Sequence, residues 1–395
     1  MEQGWRWFGP DDPVTLADAR QAGVEGIVTA LHDRYDGTAW EADAIAERVG
    51  VLREAGFEWS VCESIPVHDQ IKFRGPEARR YVEAWKTTLA RLGAAGVPVV
   101  CYNFMPVVDW TRTALRHPTR NGGLALRFDM AAFAAYDVHV LDRAGAEGDY
   151  GSDILAAAET LHAAMDDAAR DELERTIIAG LPGGEDSYTR DTIRARIAEF
   201  DGITADDLRA TLAGFVAEIA PVAEEAGVRL AIHPDDPPFP LFGLPRVVST
   251  PDDLRAILGA SPSPANGLTL CAGSLGARAD NDPVAIAGRF ADRIHFAHLR
   301  NVTLDADGSF MEDEHLDGGT DMVRLCAVLL GEERRRAAAG IDAPITMRPD
   351  HGHLLFDDRT RRTNPGYSLL GRMKGLAELR GVMRALESGV TMENA

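Results

Sequence analysis

The feature that most constrains this 395-residue chain is an alternation of two patterns. Short apolar runs rich in β-branched residues are each followed by a polar turn and then by apolar residues at helical spacing. The runs are GIVTAL (26–31), EWSVCES (58–64), VPVVCYNF (97–104), VRLAIHP (228–234), GLTLCAG (267–273), RIHFAHLR (293–300) and PITMRP (344–349). Strands alternating with helices imply a parallel sheet with helices outside, and near-continuous apolar strands imply burial on both faces. Eight such units close a barrel. Seven are visible, and the eighth is expected as a fourth strand in the long interval between Phe104 and Val228, at DVHVL (137–141) or RTIIAG (175–180). The predicted class is α/β, a (β/α)8 TIM barrel with a long insertion between strands 3 and 5. No linker or repeat divides the chain, so residues 1–395 read as a single barrel domain with inserted helical and loop segments around 105–205.

Helix ends fit this frame. Leu208, Leu212, Phe215, Ile219 and Val222 keep helical spacing ahead of Gly227, a stop signal. Thr250 before Pro251 and Asp282 before Pro283 each pair a cap residue with proline at the first helical position. Arg334, Arg335 and Arg336 fall late in a helix predicted from near Asp321, where positive charge complements the dipole.

Charge narrows the partners. Lys+Arg at 41 against Asp+Glu at 62 gives −21, which opposes binding to nucleic acid or anionic membranes. An anionic substrate would have to be drawn by a local cluster of arginines. No run of apolar residues is long enough to span a membrane, and MEQGWRWFGPDD lacks a basic-then-apolar leader, so a cytoplasmic protein is expected. The aromatic WRWFG reads as a packed plug or a subunit contact. Cys62, Cys101, Cys271 and Cys326 show no paired spacing and read as free thiols.

Polar residues at the strand ends carry the chemistry. His233 ends one strand, Cys271 the next and His298 the third, and Asp350 follows the fourth. Taken singly, such a histidine is more often a hydrogen-bonded structural group, and such a cysteine a small buried hydrophobe. Four successive strands bearing one each change that reading, because parallel packing gathers their carboxyl ends where barrels keep their active sites. Two imidazoles, a thiolate and a carboxylate suit Mn²⁺, Fe²⁺ or Zn²⁺ better than Ca²⁺ or Mg²⁺. His295 competes with His298. The two differ by an odd number of positions and so face opposite sides of the strand, and His298 lies nearer the carboxyl end.

The opening MEQGWRWFGPDDPVTLADARQAGVEGIVTALH, the segment CYNFMPVVDWTRT, the pair HPDDPP and GLPRVVST, and the ending MRPDHGH through TNPGYSLLGRMKGLAELRG resemble the mannonate dehydratase family over nearly the whole chain. The resemblance implies a xylose-isomerase-like barrel that uses Mn²⁺ or Fe²⁺ to remove water from D-mannonate, giving 2-keto-3-deoxy-D-gluconate in hexuronate breakdown. Carried over position by position, it puts the metal ligands on His233, Cys271, His298 and Asp350, and the catalytic residues on Arg348, His351 and Tyr367. A homo-oligomer, a dimer, is the expected assembly.

The chemistry asks for these residue types. A weakly acidic proton must leave the carbon beside the carboxylate while hydroxide leaves the next carbon. A divalent ion stabilises the charge that develops. Arg348 is a candidate two-point clamp on the carboxylate. His351 and Tyr367 are the candidate acid and base in either order, the tyrosine as base only if a nearby cation lowers its pKa. His32, Asn103, Trp110, Arg112, Arg300 and His353 are expected to hold the hydroxyl chain, although His353 could instead orient a ligand carboxylate. A metal-dependent isomerase or epimerase, or a non-catalytic sugar-acid-binding protein, are the alternatives on the same fold.

Overall fold

The computed structural model describes residues 1–178 and 189–389. Its strands, in chain order, are β1 (Glu2–Arg6), β2 (Gly26–Thr29), β3 (Glu58–Glu63), β4 (Val99–Tyr102), β5 (Ala114–Pro118), β6 (Leu124–Phe128), β7 (Arg229–Ile232), β8 (Leu268–Cys271), β9 (Ile294–His298), β10 (Asn301–Leu304), β11 (Phe310–Asp313) and β12 (Thr346–Arg348). Eight of them close a barrel in the order β1-β12-β9-β8-β7-β4-β3-β2, every neighbouring pair parallel. The (β/α)8 class expected from the alternation is the one observed.

The eighth strand is not where the alternation put it. It is β1, at the N-terminus, so WRWFG begins in a barrel strand and is not a plug. The stretch EQGWR lacks the apolar run of the other barrel strands, and its glutamate is held by tertiary partners. The Glu2 carboxylate accepts from Ser60 Oγ at 2.7 Å and Thr346 Oγ1 at 2.5 Å, tying β1 to both sides of the barrel floor. Gly4 lets β12 come close, since a Cβ there would lie 2.9 Å from Thr346 Cγ2.

The insertion follows the fourth barrel strand and leads to the fifth, contributing no barrel strand among the described residues. DVHVL lies in a π-helical turn, Tyr136–Val140, that continues helix Met130–Ala135. The helix wins because Asp137 is buried there, with Arg143 Nε and Nη2 at 2.8 and 2.7 Å and the Tyr150 hydroxyl at 2.7 Å. Arg175 to Ile178 end helix Asp167–Ile178, and Ala179 and Gly180 lie outside the described residues. The insertion instead supplies β5 and β6 to an antiparallel accessory sheet, ordered β10-β11-β6-β5, whose other half is the hairpin that leaves the barrel after β9. Its apolar side buries Phe128, Phe310 and Val302 against Phe133 and Tyr136.

The helix ends match the sequence signals. Thr204 opens Ala205–Glu225 with a capping box, and Gly227 follows its end at φ +67°. Thr250 caps Pro251–Gly259 in the same way, and Asp282 Oδ1 accepts from Val284 N and Ala285 N. Asp321 caps Met322–Ala338, whose last turn carries Arg335 and Arg336. Each cap contributes about 1 kcal/mol. No helix among the described residues is long and apolar enough to cross a membrane.

Val28, Val61, Val99, Cys101, Ala231 and Phe296 fill the barrel interior as a core of their own. His298 shares the face of Phe296, its ring 4.6 Å away edge-on, while His295 points outward with Nδ1 2.7 Å from Leu230 O. Burial, with Arg229 adding repulsion, pushes the His295 imidazole down to about 3. The folded chain therefore keeps this ring neutral while the unfolded chain protonates it near pH 6.5, so its contribution to stability is lost as pH falls from about 6.5 toward about 3. In urea titrations His295→Gln is expected to lose less stability than the parent between about pH 7 and about pH 5. Equal losses would show that His295 does not set the acid limb.

Candidate active site and metal centre

Parallel strands carry the site. In the barrel β7, β8, β9 and β12 are consecutive neighbours, so the residues at their carboxyl ends are brought together although they are far apart in sequence. One nitrogen of His233, one of His298 and the sulfur of Cys271 lie within 4.8 Å of one another. Asp350 stands beside this group of three, with Oδ2 3.9 Å from Cys271 Sγ and 3.9 Å from His298 Nδ1. Asp350 reaches this position through a left-handed backbone, φ +66°, a conformation that costs a non-glycine residue of order 1 kcal/mol or more and that clusters at functional sites.

Each donor is oriented. His233 Nδ1 is 2.6 Å from Pro234 O, which places the proton on that nitrogen and leaves Nε2, 3.1 Å from His298 Nδ1, with its lone pair. Burial keeps the His233 ring below its ordinary value, against the pull of Glu63, Asp236 and Asp350. His298 Nε2 has no hydrogen bond within the protein and lies 3.6 Å from Glu63 Oε2. Cys271 Sγ accepts from Ser274 N at 3.4 Å and Ser274 Oγ at 3.1 Å. Two imidazoles, a sulfur and a carboxylate oxygen so arranged match the donor preferences of a borderline divalent ion.

Around this group runs a buried chain of ion pairs. Arg348 donates Nη1 to Asp350 Oδ1, and Nε and Nη2 to the two Glu63 oxygens at 3.1 and 2.8 Å. Arg6 Nη1 meets Glu63 Oε1 at 2.7 Å and lies 3.4 Å from the Tyr367 hydroxyl. Arg300 gives Nε to Asp350 Oδ2 at 2.7 Å, Nη1 to Glu312 at 3.2 Å and Nη2 to Asp236. Arg112 pairs with Asp236 at 2.8 Å and Glu312 at 2.8 Å. Burial alone would raise these carboxyls, but the arginines and histidines hold Asp350 and Glu63 well below the usual range and Glu312 down at about 2.

The cavity beside the four donors is lined by Arg6, Asn103, Trp110, Arg348, His351 and Tyr367 among others. Of the expected hydroxyl-chain residues, Asn103 and Trp110 face it, and Trp110 Nε1 is buried without a protein partner. His32, Arg112, Arg300 and His353 do not line it. His32 packs on Phe8, ring centroids 5.1 Å apart, in a neighbouring pocket. Arg112 and Arg300 are engaged with Asp236 and Glu312, and His353 Nε2 is 3.0 Å from the Glu312 carbonyl. Arg348 is likewise engaged at all three nitrogens by protein carboxylates, so it is not the open clamp that the sequence suggests.

His351 and Tyr367 meet edge to face, ring centroids 5.0 Å apart at 80°. The NPGY turn achieves this. Gly352 N donates to Gly366 O at 2.8 Å, and Gly366, at φ +79°, leaves room for the imidazole, since a Cβ there would lie 2.9 Å from His351 Cδ2. Burial pushes the Tyr367 phenol up although Arg6 and Arg348 pull it down, the opposite of what a tyrosine base needs. Sequence reasoning missed Arg6, Asp236 and Glu312. Asp236 was within reach, standing in HPDDPP beside a strand end, whereas nothing in DGSFMEDE marks Glu312.

Comparisons with known proteins give the family. A family model for D-mannonate dehydratase matches residues 1–393. Mannonate dehydratase 2 of Agrobacterium fabrum is 60% identical over 395 residues, all of both chains. The mannonate dehydratase of Saccharophagus degradans is 55% identical over 389 residues, 98% of each chain. The crystal structure of mannonate dehydratase from Streptococcus suis serotype 2 superposes with a TM-score of 0.77 at 35% identity, covering 99% of this chain and 97% of that one. The chain belongs to the D-mannonate dehydratase family.

Proposed function

We propose that the chain is a hydro-lyase that dehydrates D-mannonate to 2-keto-3-deoxy-D-gluconate in hexuronate breakdown, with Mn²⁺ or Fe²⁺ held by His233, Cys271, His298 and Asp350. The observation that supports this reading is the gathering of His233, Cys271 and His298 from adjacent strand ends, with Asp350 Oδ2 3.9 Å from two of them, beside the His351–Tyr367 pair. Bound there, such an ion would stabilise the negative charge that builds on the substrate oxygens and, carrying one charge more than a Cys271 thiolate cancels, would attract an aldonate where the arginines are already paired.

The protein's own groups do the rest. Arg6 and Trp110 line the cavity, Arg6 Nε and Trp110 Nε1 have no protein partner, and these two groups are the donors for substrate oxygens. The C2–H bond breaks toward His351 Nε2, and the freed electron pair forms the C2–C3 double bond as the C3–O bond breaks. Tyr367, protonated by virtue of its burial, gives its proton to the departing hydroxide, so water leaves. The enol then tautomerises to the 2-keto acid, and proton exchange with solvent resets both residues. Buried free cysteines fit a reducing cytoplasm. Phe356, 81% exposed, fits a subunit contact in a homodimer. The segments around 105–205 are read as inserts within one domain.

Purified protein with Mn²⁺ and D-mannonate is expected to yield a 2-keto-3-deoxy acid, to stop on EDTA treatment and to recover when Mn²⁺ is restored. An epimer, an aldose–ketose product or unchanged aldonate would contradict the assignment, and full activity in EDTA would remove the metal from it. Tyr367→Phe should lower kcat by about 10²- to 10⁴-fold with little change in KM, as for loss of a general acid. A rise in KM alone would make Tyr367 a binding residue.

A further inference from the structure

The accessory sheet places one carboxylate directly on the proposed base. Glu312 lies in β11, and both of its oxygens are 2.8 Å from His351 Nδ1. Its side chain is about 5% exposed, and Arg112 Nη2 and Arg300 Nη1 meet Oε1 at 2.8 and 3.2 Å, so the carboxylate is fixed in place and in charge. Its backbone is fixed as well, since β11 pairs with β10 and β6 and the Glu312 carbonyl faces His353 Nε2 at 3.0 Å. On its other side the His351 ring turns Nε2 toward the metal-capable group, 3.7 Å from Asp350 Oδ1. Trp110 and Tyr367 meet the ring edge to face, which blocks rotation.

A neutral imidazole carries one proton, and which nitrogen holds it decides whether the ring can act as a base at a given place. A carboxylate only accepts, so the nitrogen facing Glu312 must be the protonated one. We propose that Glu312 is the positioning residue for His351: it keeps the proton on Nδ1, leaves the Nε2 lone pair aimed into the cavity, and neutralises the imidazolium formed once the C2 proton arrives. This rests on the reading of His351 as base. In the step itself the C2–H bond breaks and an N–H bond forms at Nε2, Nδ1–H stays in place, and hydroxide leaves C3 with the Tyr367 proton. The hairpin that carries Glu312 follows directly on β9, whose last residue is His298, so one stretch of chain delivers both a metal-capable imidazole and the carboxylate behind the base.

The competing account is that Glu312 only balances Arg112 and Arg300. A double-mutant cycle with Mn²⁺-loaded protein separates the two. Glu312→Gln is expected to lower kcat by about 10²- to 10⁴-fold with KM changed less than about threefold, metal content intact. In a His351→Asn background, already slow, the same change should cost almost nothing more, because Glu312 acts through a ring that is gone. If Glu312→Gln slows His351→Asn by as much as it slows the parent, or leaves the parent unimpaired, the proposal is overturned. A His351→Asn variant as fast as the parent would instead remove the base assignment, and the proposal with it. Should Glu312→Gln fail to fold, Glu312→Asp keeps the charge for both arginines but withdraws it from His351; in the same cycle, loss in the parent alone supports the proposal and equal loss in both backgrounds overturns it.

Discussion

The Asp350 carboxylate accepts from Arg348 on one oxygen and from Arg300, at 2.7 Å, on the other, while standing 3.9 Å from both Cys271 Sγ and His298 Nδ1. A buried carboxylate without such partners would take up a proton or cost several kcal/mol. Here it stays ionised, and because each arginine also binds a second carboxylate, the neutralisation spreads outward to Glu63, Asp236 and Glu312. The network fixes where Arg348 and Arg300 lie, and through Glu312 where His351 lies. Its members come from both the barrel and the accessory sheet, so the site exists only when the two are assembled.

That assembly gives the insertion a purpose within the fold. Closing the barrel needs only eight strands, and the segment between β4 and β7 adds none among the described residues. It supplies β5 and β6, on which the β10–β11 hairpin is registered. Phe128 and Phe310 stack across that junction with ring centroids 5.6 Å apart. Arg112, from the same insertion, has its guanidinium 4.9 Å from the Phe310 ring centroid and so joins the apolar face of the sheet to the ion pairs beneath. Packing and electrostatics therefore meet at β11.

The barrel was legible because it is written in local pattern, apolar runs each followed by a turn and a helix, and the polar residue at each carboxyl end is what brought His233, Cys271, His298 and Asp350 forward as candidate ligands. β1 was not legible, since Glu2, Gln3 and Gly4 break the apolar signature and only the tertiary partners of Glu2, on Ser60 and Thr346, make it a strand. The two decoys, at 137–141 and 175–180, carried β-branched residues, but the described part of each is helical, decided at the first by the Arg143 and Tyr150 bonds to Asp137. Arg348, His351 and Tyr367 came with the family resemblance, yet the engagement of Arg348 by Glu63 and Asp350 could not be foreseen, because Glu63 lies on a strand across the barrel. Glu312 was invisible for the same kind of reason. An acidic residue in a charged hairpin looks solvated until a second sheet turns it inward.

The account stands or falls on whether one ion draws its ligands from those four strand ends. An anomalous-scattering map of crystals grown with Mn²⁺ tests that most directly. It should show a single strong peak at bonding distance from one nitrogen of His233, Cys271 Sγ, one nitrogen of His298 and one Asp350 oxygen. A peak elsewhere on the protein, or one that leaves Asp350 bound only to Arg348 and Arg300, would contradict it.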